Sequence, residues 1–404
     1  MLARDIAYKN YKKRDDIHGT VLYPAVMVAP VQKDILNDVI NKDICTRVLD
    51  PFHGSGTALY EATEVSKNVE LYGCDINPLA NLITKVKLQG ISERIERDIN
   101  NIVDCLESEI SFDIHNFPNI SKWFRQDFVI DLSKIRAAIM ETEDQKNRLF
   151  FWCMFIDIVK KYSNTRTSTY KLHIKKEIDI ARQENNIISD YISSIRNNYK
   201  RYQKSFNSFT LIKGDTLTYL QACPENYFDI CITSPPYGDN ATTVPYGQFS
   251  ILPLFWIDNK DLELEGWEFE NYSIIDSRSI GGPLQTFQGE VKEFELLSKY
   301  IKKISFLKQK KVIRFFAGYF EFLEQICRVT SSYLIMTLGN RTVDGVKINL
   351  TELTIQYLDS RGFSQKEVVK REIINKRIPK RVSNVRNRPV SSMNEEYVIV
   401  MEKK

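Results

Sequence analysis

The chain is poor in the residues that build metal centres. Its four histidines are scattered, and its seven cysteines (45, 74, 105, 153, 223, 231 and 327) form no C-x-x-C pair. A structural zinc site is not expected, and no metal ligand is named. Several of these cysteines stand in apolar, strand-like runs, where a thiol acts as a small core hydrophobe. Long hydrophobic runs are missing too. None reaches the roughly 18 residues that cross a bilayer, and the opening Met-Leu-Ala-Arg-Asp lacks the apolar core of a signal peptide. A soluble, cytoplasmic protein without a membrane partner is expected. Charge of one sign is scarce: the net charge is +4, so the overall balance hardly argues for nucleic acid. What is present, 43% hydrophobic and 11% aromatic residues over 404 positions, suits a large core or one α/β domain carrying an insertion.

The distribution of charge says more than its sum. Lys366–Arg388 holds nine Lys/Arg against two acids, and Lys160–Lys204 holds eleven against four. Such stripes suit a polyanion; solvated basic helix faces have the same composition.

No internal repeat or low-complexity linker divides the chain. A lead segment from His18 runs into a helix expected over Val31–Asn41. A strand at Arg47–Leu49, a glycine turn, a helix from Thr57 and a strand at Val69–Cys74 closed by Asp75 make a βαβ unit. From about Leu82 to Tyr202 the pattern is helical. Strand–helix alternation resumes at Phe209–Asp215 and Tyr227–Thr233. Later come a lysine-rich helix around Glu293–Val329, a strand at Tyr333–Leu338, a helix at Leu350–Ser360 and a last strand at Glu396–Met401. This order predicts a doubly wound, seven-stranded α/β sheet with a helical insertion. The expected division is 1–88 and 206–404 as two halves of one core, with 89–205 inserted.

Two strings carry the chemistry. Asp50-Pro-Phe-His-Gly-Ser-Gly-Thr57 follows the first strand, and Thr233-Ser-Pro-Pro-Tyr237 follows a later one. In an open parallel sheet, ligands sit beyond the carboxyl ends of strands. Gly54 and Gly56 permit a backbone that other residues avoid, although a structural turn has the same need. Leu59 stands where a dinucleotide site requires its third glycine, and no Gly-Lys-Ser/Thr follows, which excludes a P-loop. Asp75 can accept ribose hydroxyls at the end of the second strand, and Asp215 an adenine amine at the end of the third.

Together the strings resemble the S-adenosylmethionine-dependent amino-methyltransferases of DNA bases. The resemblance covers roughly two-thirds of the chain. It places Tyr23, Asp50, Pro51, Phe52, Gly54, Gly56, Thr57, Asp75 and Asp215 around the cofactor, and Ser234, Pro235, Pro236 and Tyr237 at the target base. Gly339-Asn-Arg, Gly362-Phe and Arg371 to Pro379 are similar to the family's downstream elements. The helical insertion departs from its pattern. An exocyclic amine is a poor nucleophile because its lone pair is delocalised. The Ser234 hydroxyl and the Pro235 carbonyl offer two acceptors for its hydrogens, held by consecutive prolines. Tyr237 offers a face to a base extruded from its duplex. In the family, Ser-Pro-Pro-Tyr goes mostly with cytosine N4 and Asp/Asn-Pro-Pro-Tyr with adenine N6. Cytosine C5 methylation needs a thiolate nucleophile, carried by that family in a Pro-Cys pair that is missing here.

The resemblance therefore implies methyl transfer to cytosine N4 in double-stranded DNA, with a restriction endonuclease acting on the same site as the family's usual companion. Adenine N6, an RNA base amine, and a DNA-binding protein with a decayed core stay open as alternatives. Arg166 and Lys171, in the hydroxyl-rich Ser163–His173 segment, are candidates for DNA contact. Arg371, Arg377 and Arg381 are candidates for phosphate contact.

Overall fold

A computed structural model describes residues 8, 10–109, 111–238, 244–265, 267, 271–282, 295–372, 381–385, 388–391 and 395–404 (backbone only at 295–296, 372, 381–385 and 388–391). Its strands are β1 (Thr46–Asp50), β2 (Val69–Asp75), β3 (Phe209–Lys213), β4 (Phe228–Thr233), β5 (Thr330–Leu338), β6 (Arg341–Val343), β7 (Val346–Ile348), β8 (Phe363–Glu372), β9 (Arg381–Val385), β10 (Arg388–Ser391) and β11 (Glu395–Lys403). Seven of them form one sheet in the order β3-β2-β1-β4-β5-β11-β8, and two hairpins, β6–β7 and β9–β10, stand apart. β1 to β5 are parallel, and β11 runs antiparallel to both its neighbours. The chain winds one way from β1 to β2 and β3, then crosses back to β4. That switch between β1 and β4 opens a crevice at their carboxyl ends. The fold is the doubly wound α/β sheet that the strand–helix alternation predicts.

Alternation within the strands feeds two cores. Val48, Ile230, Ile232 and Ile335 face one cluster, Leu49, Cys231, Leu334 and Met336 the other. The first is shared with the insertion, through the helix Gln145–Tyr162, whose Phe150, Phe151, Trp152 and Phe155 are buried. That helix packs on Pro78–Gln89 and Tyr246–Trp256. The second cluster lies under the helix Phe306–Val329, which contributes Phe315, Tyr319, Phe322 and Ile326. Each such fully buried side chain stabilises the fold by about 1.5–3 kcal/mol.

Two expectations are corrected, and one strand is added. The helix expected over Val31–Asn41 spans Ala29–Val39, because Pro30 suits a first turn. The lysine-rich helix is two helices, Glu295–Ile301 and Phe306–Val329. The stretch from Lys366 begins as strand β8, its charges hiding the alternation that buries Val369. No helix of the described residues is long and apolar enough to cross a membrane.

Candidate active site

The glycine turn after β1 is shaped by close packing. Gly54 and Gly56 take positive φ, +50° and +72°. A Cβ on Gly54 would sit 3.3 Å from the Tyr23 ring, and one on Gly56 2.6 Å from Thr84. The turn leads into the helix Thr57–Val65 and leaves the Gly54 amide pointing at β2. There it donates to Asp75 Oδ2 at 3.0 Å, while the Asn77 amide donates to Oδ1 at 2.9 Å. Burial lifts the Asp75 carboxyl above its usual range; His53 and these two amides oppose that.

Asn77 caps the helix Pro78–Gln89 with its side-chain oxygen and donates from Nδ2 to Tyr23 Oη (3.2 Å) and Ser250 Oγ (2.8 Å). One amide thus joins the lead segment, β2 and the helix Tyr246–Trp256. Tyr23 is buried, its ring 5.9 Å from Tyr246 and 6.0 Å from Phe249. His53 contacts Asn81 Oδ1 (3.3 Å) and Thr84 Oγ1 (3.1 Å), and burial lowers its pKa, which keeps the ring neutral.

These groups surround a cleft of about 900 Å³, its open mouth included. Of the sequence candidates, Tyr23, Phe52, Gly54, Thr57, Asp75, Asp215, Ser234 and Pro236 line it. Asp50, Pro51, Gly56, Pro235 and Tyr237 do not, and act from behind. Asp50 is fully buried, and the Pro51 carbonyl accepts from Thr216 Oγ1 at 2.7 Å. Asp215 lies two residues past β3, where Oδ1 caps the helix Thr216–Ala222 through the Thr218 amide at 2.9 Å. Tyr237 Oη is 3.0 Å from Ser234 Oγ, its ring packed against the core under Phe306–Val329. Asn77 and Tyr246, to which the sequence drew no attention, also line the cleft, as does His53 of the glycine-turn string. Asn77-Pro78 carried a signal, a capping residue followed by proline at a helix start.

The residues fit an adenosine-bearing cofactor. Two carboxylates, Asp75 and Asp215, line the cleft together with Tyr23, Val26, Phe52 and Ile280. Thr57 Oγ1 is buried beside it with no hydrogen-bond partner among the described residues. No group of His, Cys, Asp and Glu among those residues has the makings of a metal site.

Arg166 and Lys171 are exposed in a turn closed by the Thr165–Ile174 bridge. The turn leans on the helix that carries Tyr246, through Tyr170 on Phe249 (5.7 Å) and the Leu172 amide on Gln248 Oε1 (3.3 Å). Arg371 is no free surface cation. It pairs with Glu396 at 2.7 Å across β8 and β11, with its side chain only 11% exposed. Arg377 lies outside the described residues, and for Arg381 only the backbone, at the start of β9, is described.

No protein-family model matches the chain. Two solved structures overlap it loosely. TrmN from Thermus thermophilus is 11% identical with a TM-score of 0.29, covering 93% of this chain and 49% of that one. A structure described as that of an S-adenosylmethionine dependent methyltransferase from Listeria monocytogenes is 8% identical with a TM-score of 0.30, covering 93% and 100%. Neither overlap is close enough to bear on function. The sequence likeness reaches further: the type II methyltransferase M.MvaI of Kocuria varians is 27% identical over 431 aligned positions, 98% of this chain and 93% of its own length. The chain is thus similar, from end to end, to a type II methyltransferase.

Proposed function

We propose that this protein is an S-adenosylmethionine-dependent DNA methyltransferase that modifies the exocyclic N4 amine of cytosine in duplex DNA, as the modification half of a restriction–modification pair. The observation that carries this reading is that Asp75 and Ser234, from the ends of β2 and β4, line one cleft across the glycine turn. The end-to-end likeness to a type II methyltransferase supports a DNA substrate, and the serine that opens Ser-Pro-Pro-Tyr supports cytosine over adenine.

When bound, the cofactor supplies an electrophilic methyl group on a sulfonium. Asp75 is held by two amides and keeps lone pairs for ribose hydroxyls, and Asp215 Oδ2 takes the adenine amine. Thr57 and the turn around Gly54 hold the methionine half, while Tyr23 and Phe52 exclude water from it. On the substrate side, Ser234 Oγ accepts an amine hydrogen, which pulls the nitrogen lone pair out of conjugation, and the proline rings keep the loop from reorganising. The Pro235 carbonyl, expected as the second acceptor, does not line the cleft. A hydrogen bond between Ser234 Oγ and Tyr237 Oη, 3.0 Å apart, holds the serine in place. One amine proton must leave, and because a serine hydroxyl is too weak a base to keep it, the proton passes from the methylated nitrogen to water. Tyr246 is an aromatic wall of the same cleft.

The test is direct. Purified protein is given methyl-labelled S-adenosylmethionine and unmodified DNA, and the digested nucleosides are separated. Labelled N4-methylcytosine is expected. Label in N6-methyladenine would move the target and keep the rest; DNA without label would end the reading.

A further inference from the structure

The helix Phe306–Val329 has 24 residues, about 36 Å at 1.5 Å each. It runs directly into β5, which is parallel to β4, so its carboxyl end lies at the foot of the sheet and its amino end at the head, where the cleft opens. Three contacts mark the level. Phe322 meets Phe52 of the glycine turn, ring centroids 5.0 Å apart. Phe315, seven residues nearer the amino end, abuts Gly281 and carries the Arg341 guanidinium 5.4 Å over its ring. Phe306 is nine residues beyond that, about 14 Å further out. The first turn therefore projects beyond the head of the sheet, at the end where the cleft opens.

That projection ends in two apolar side chains. Phe306 is 85% exposed and Leu307 90%, whereas the other six exposed large hydrophobic residues among those described range from 37% to 59%. The pair is not on a loose end, since Ile304 and Val312 on either side are buried. The Ser305 amide also donates to Asp344 in the β6–β7 turn at 2.9 Å. Around the pair, Lys302, Lys303, Lys308 and Lys310 are exposed, with Lys308 held by Asp344 at 3.3 Å. An apolar tip between cations matches one kind of surface closely, a base stack between two phosphate rails. An anionic membrane has the same charge, but this tip is at the end of the sheet that carries the cleft, whose substrate has to arrive from solution.

We propose that Phe306 and Leu307 form a wedge that enters the base stack of duplex DNA next to the target base, while Lys302, Lys303 and Lys310 hold the flanking phosphates. The proposal rests on the reading of DNA as substrate. Extruding a base leaves its neighbours unstacked, and an apolar wedge fills that gap.

Two full-length variants test it, Phe306→Ser with Leu307→Ser, and Lys302→Gln with Lys303→Gln and Lys310→Gln. Both change exposed side chains and leave the cores alone. Binding to mixed-sequence duplex DNA is followed over a salt series, beside methyl transfer to unmodified DNA and calorimetry with S-adenosylmethionine. The lysine variant should flatten the plot of log affinity against log salt by about 2.7, or 0.9 per contact. The serine variant should keep that slope yet lose about tenfold to a hundredfold in methyl transfer to duplex, with cofactor affinity unchanged in both. A native slope in the first, or native transfer in the second, overturns the wedge and leaves the methyltransferase reading standing. So does a serine variant that loses binding to phosphatidylserine vesicles and keeps DNA. A native protein that binds duplex with the predicted lysine dependence and transfers no methyl group supports the contact and ends the functional reading instead.

Discussion

The Thr233 hydroxyl donates to Asp50 Oδ1 at 2.7 Å, in a place without solvent. The bond joins the end of β1 to the end of β4, and so ties the start of the glycine turn to the start of the Ser-Pro-Pro-Tyr loop. Asp50 also accepts from the Phe52 amide at 3.1 Å, while its Oδ2 has no partner among the described residues. Burial pushes its carboxyl up to about 7.

A pH signature follows. Asp50 holds its proton in the folded protein at pH values where the unfolded chain, with its ordinary carboxyl near 3.8, has lost it. Its contribution to stability is full below about pH 4 and is lost as pH rises through about 7. Denaturant unfolding of native protein and Asp50→Asn at pH 5 and pH 8 should show the native losing more on going to pH 8. Glu61, raised to about 8, Asp157, raised to about 6, and Lys87, lowered to about 7, titrate in both proteins and cancel in the comparison. Equal slopes in the two proteins would mean that Asp50 is ionised in the fold.

Asp75→Asn should weaken S-adenosylmethionine binding by about 2–4 kcal/mol, the size of one or two hydrogen bonds to a charged group. Calorimetry reads this directly, and circular dichroism checks that the variant is folded. Unchanged affinity would take Asp75 out of the cofactor site.

Ser234→Ala should lower kcat about a hundredfold, as expected for one lost preorganised group, with cofactor affinity intact. Tyr237→Phe keeps the ring and removes only the 3.0 Å hydroxyl contact, so its loss should be smaller. Single-turnover methyl transfer separates the two. Equal defects would put the effect in the loop's shape and away from the serine.

Gly56→Ala should destabilise the fold by more than the about 1–2 kcal/mol that a left-handed backbone costs an alanine. The added Cβ also meets Thr84 at 2.6 Å. Thr84→Ala in the same chain should recover part of the loss in chemical unfolding, because it removes the clash and not the strain. No recovery would mean that the turn itself had shifted.

Arg166→Ala should change which sequences are methylated, or cost about 1–3 kcal/mol on the cognate site alone. The motive is its exposed place in a turn resting on the helix beside the cleft. Sequencing of modified DNA from cells carrying each form would show it, and an unaltered site preference would move recognition out of the insertion.

The parallel half of the sheet was legible because β1, β2 and β4 are short apolar runs, each ending in a polar residue, of which Asp75 lines the cleft. The eight-residue turn was legible as a unit but not residue by residue. Asp50 and Asp75 look alike in a string, and only burial separates a carboxylate under the floor from one on the wall. Arg371 shows the same limit from the other side. Its partner Glu396 is 25 positions away and lies directly opposite it in the β8–β11 register, a pairing that no local pattern announces. Asn77 acts on Tyr23 and Ser250 through contacts of similarly long range.

β8 touches the seven-stranded sheet through β11 alone, although β11 follows it in the chain. During synthesis, β5 and β8 both emerge with an unsatisfied edge and wait for Glu395–Lys403 to fill the slot between them. A ribosome-bound chain stopped before residue 395 would carry the glycine turn, Asp75 and Ser-Pro-Pro-Tyr on strands that can already pair, beside an open edge at β5. Such a chain lacks two strands of the sheet for the deletion of one, and the exposed β5 edge makes it a target for aggregation or proteolysis.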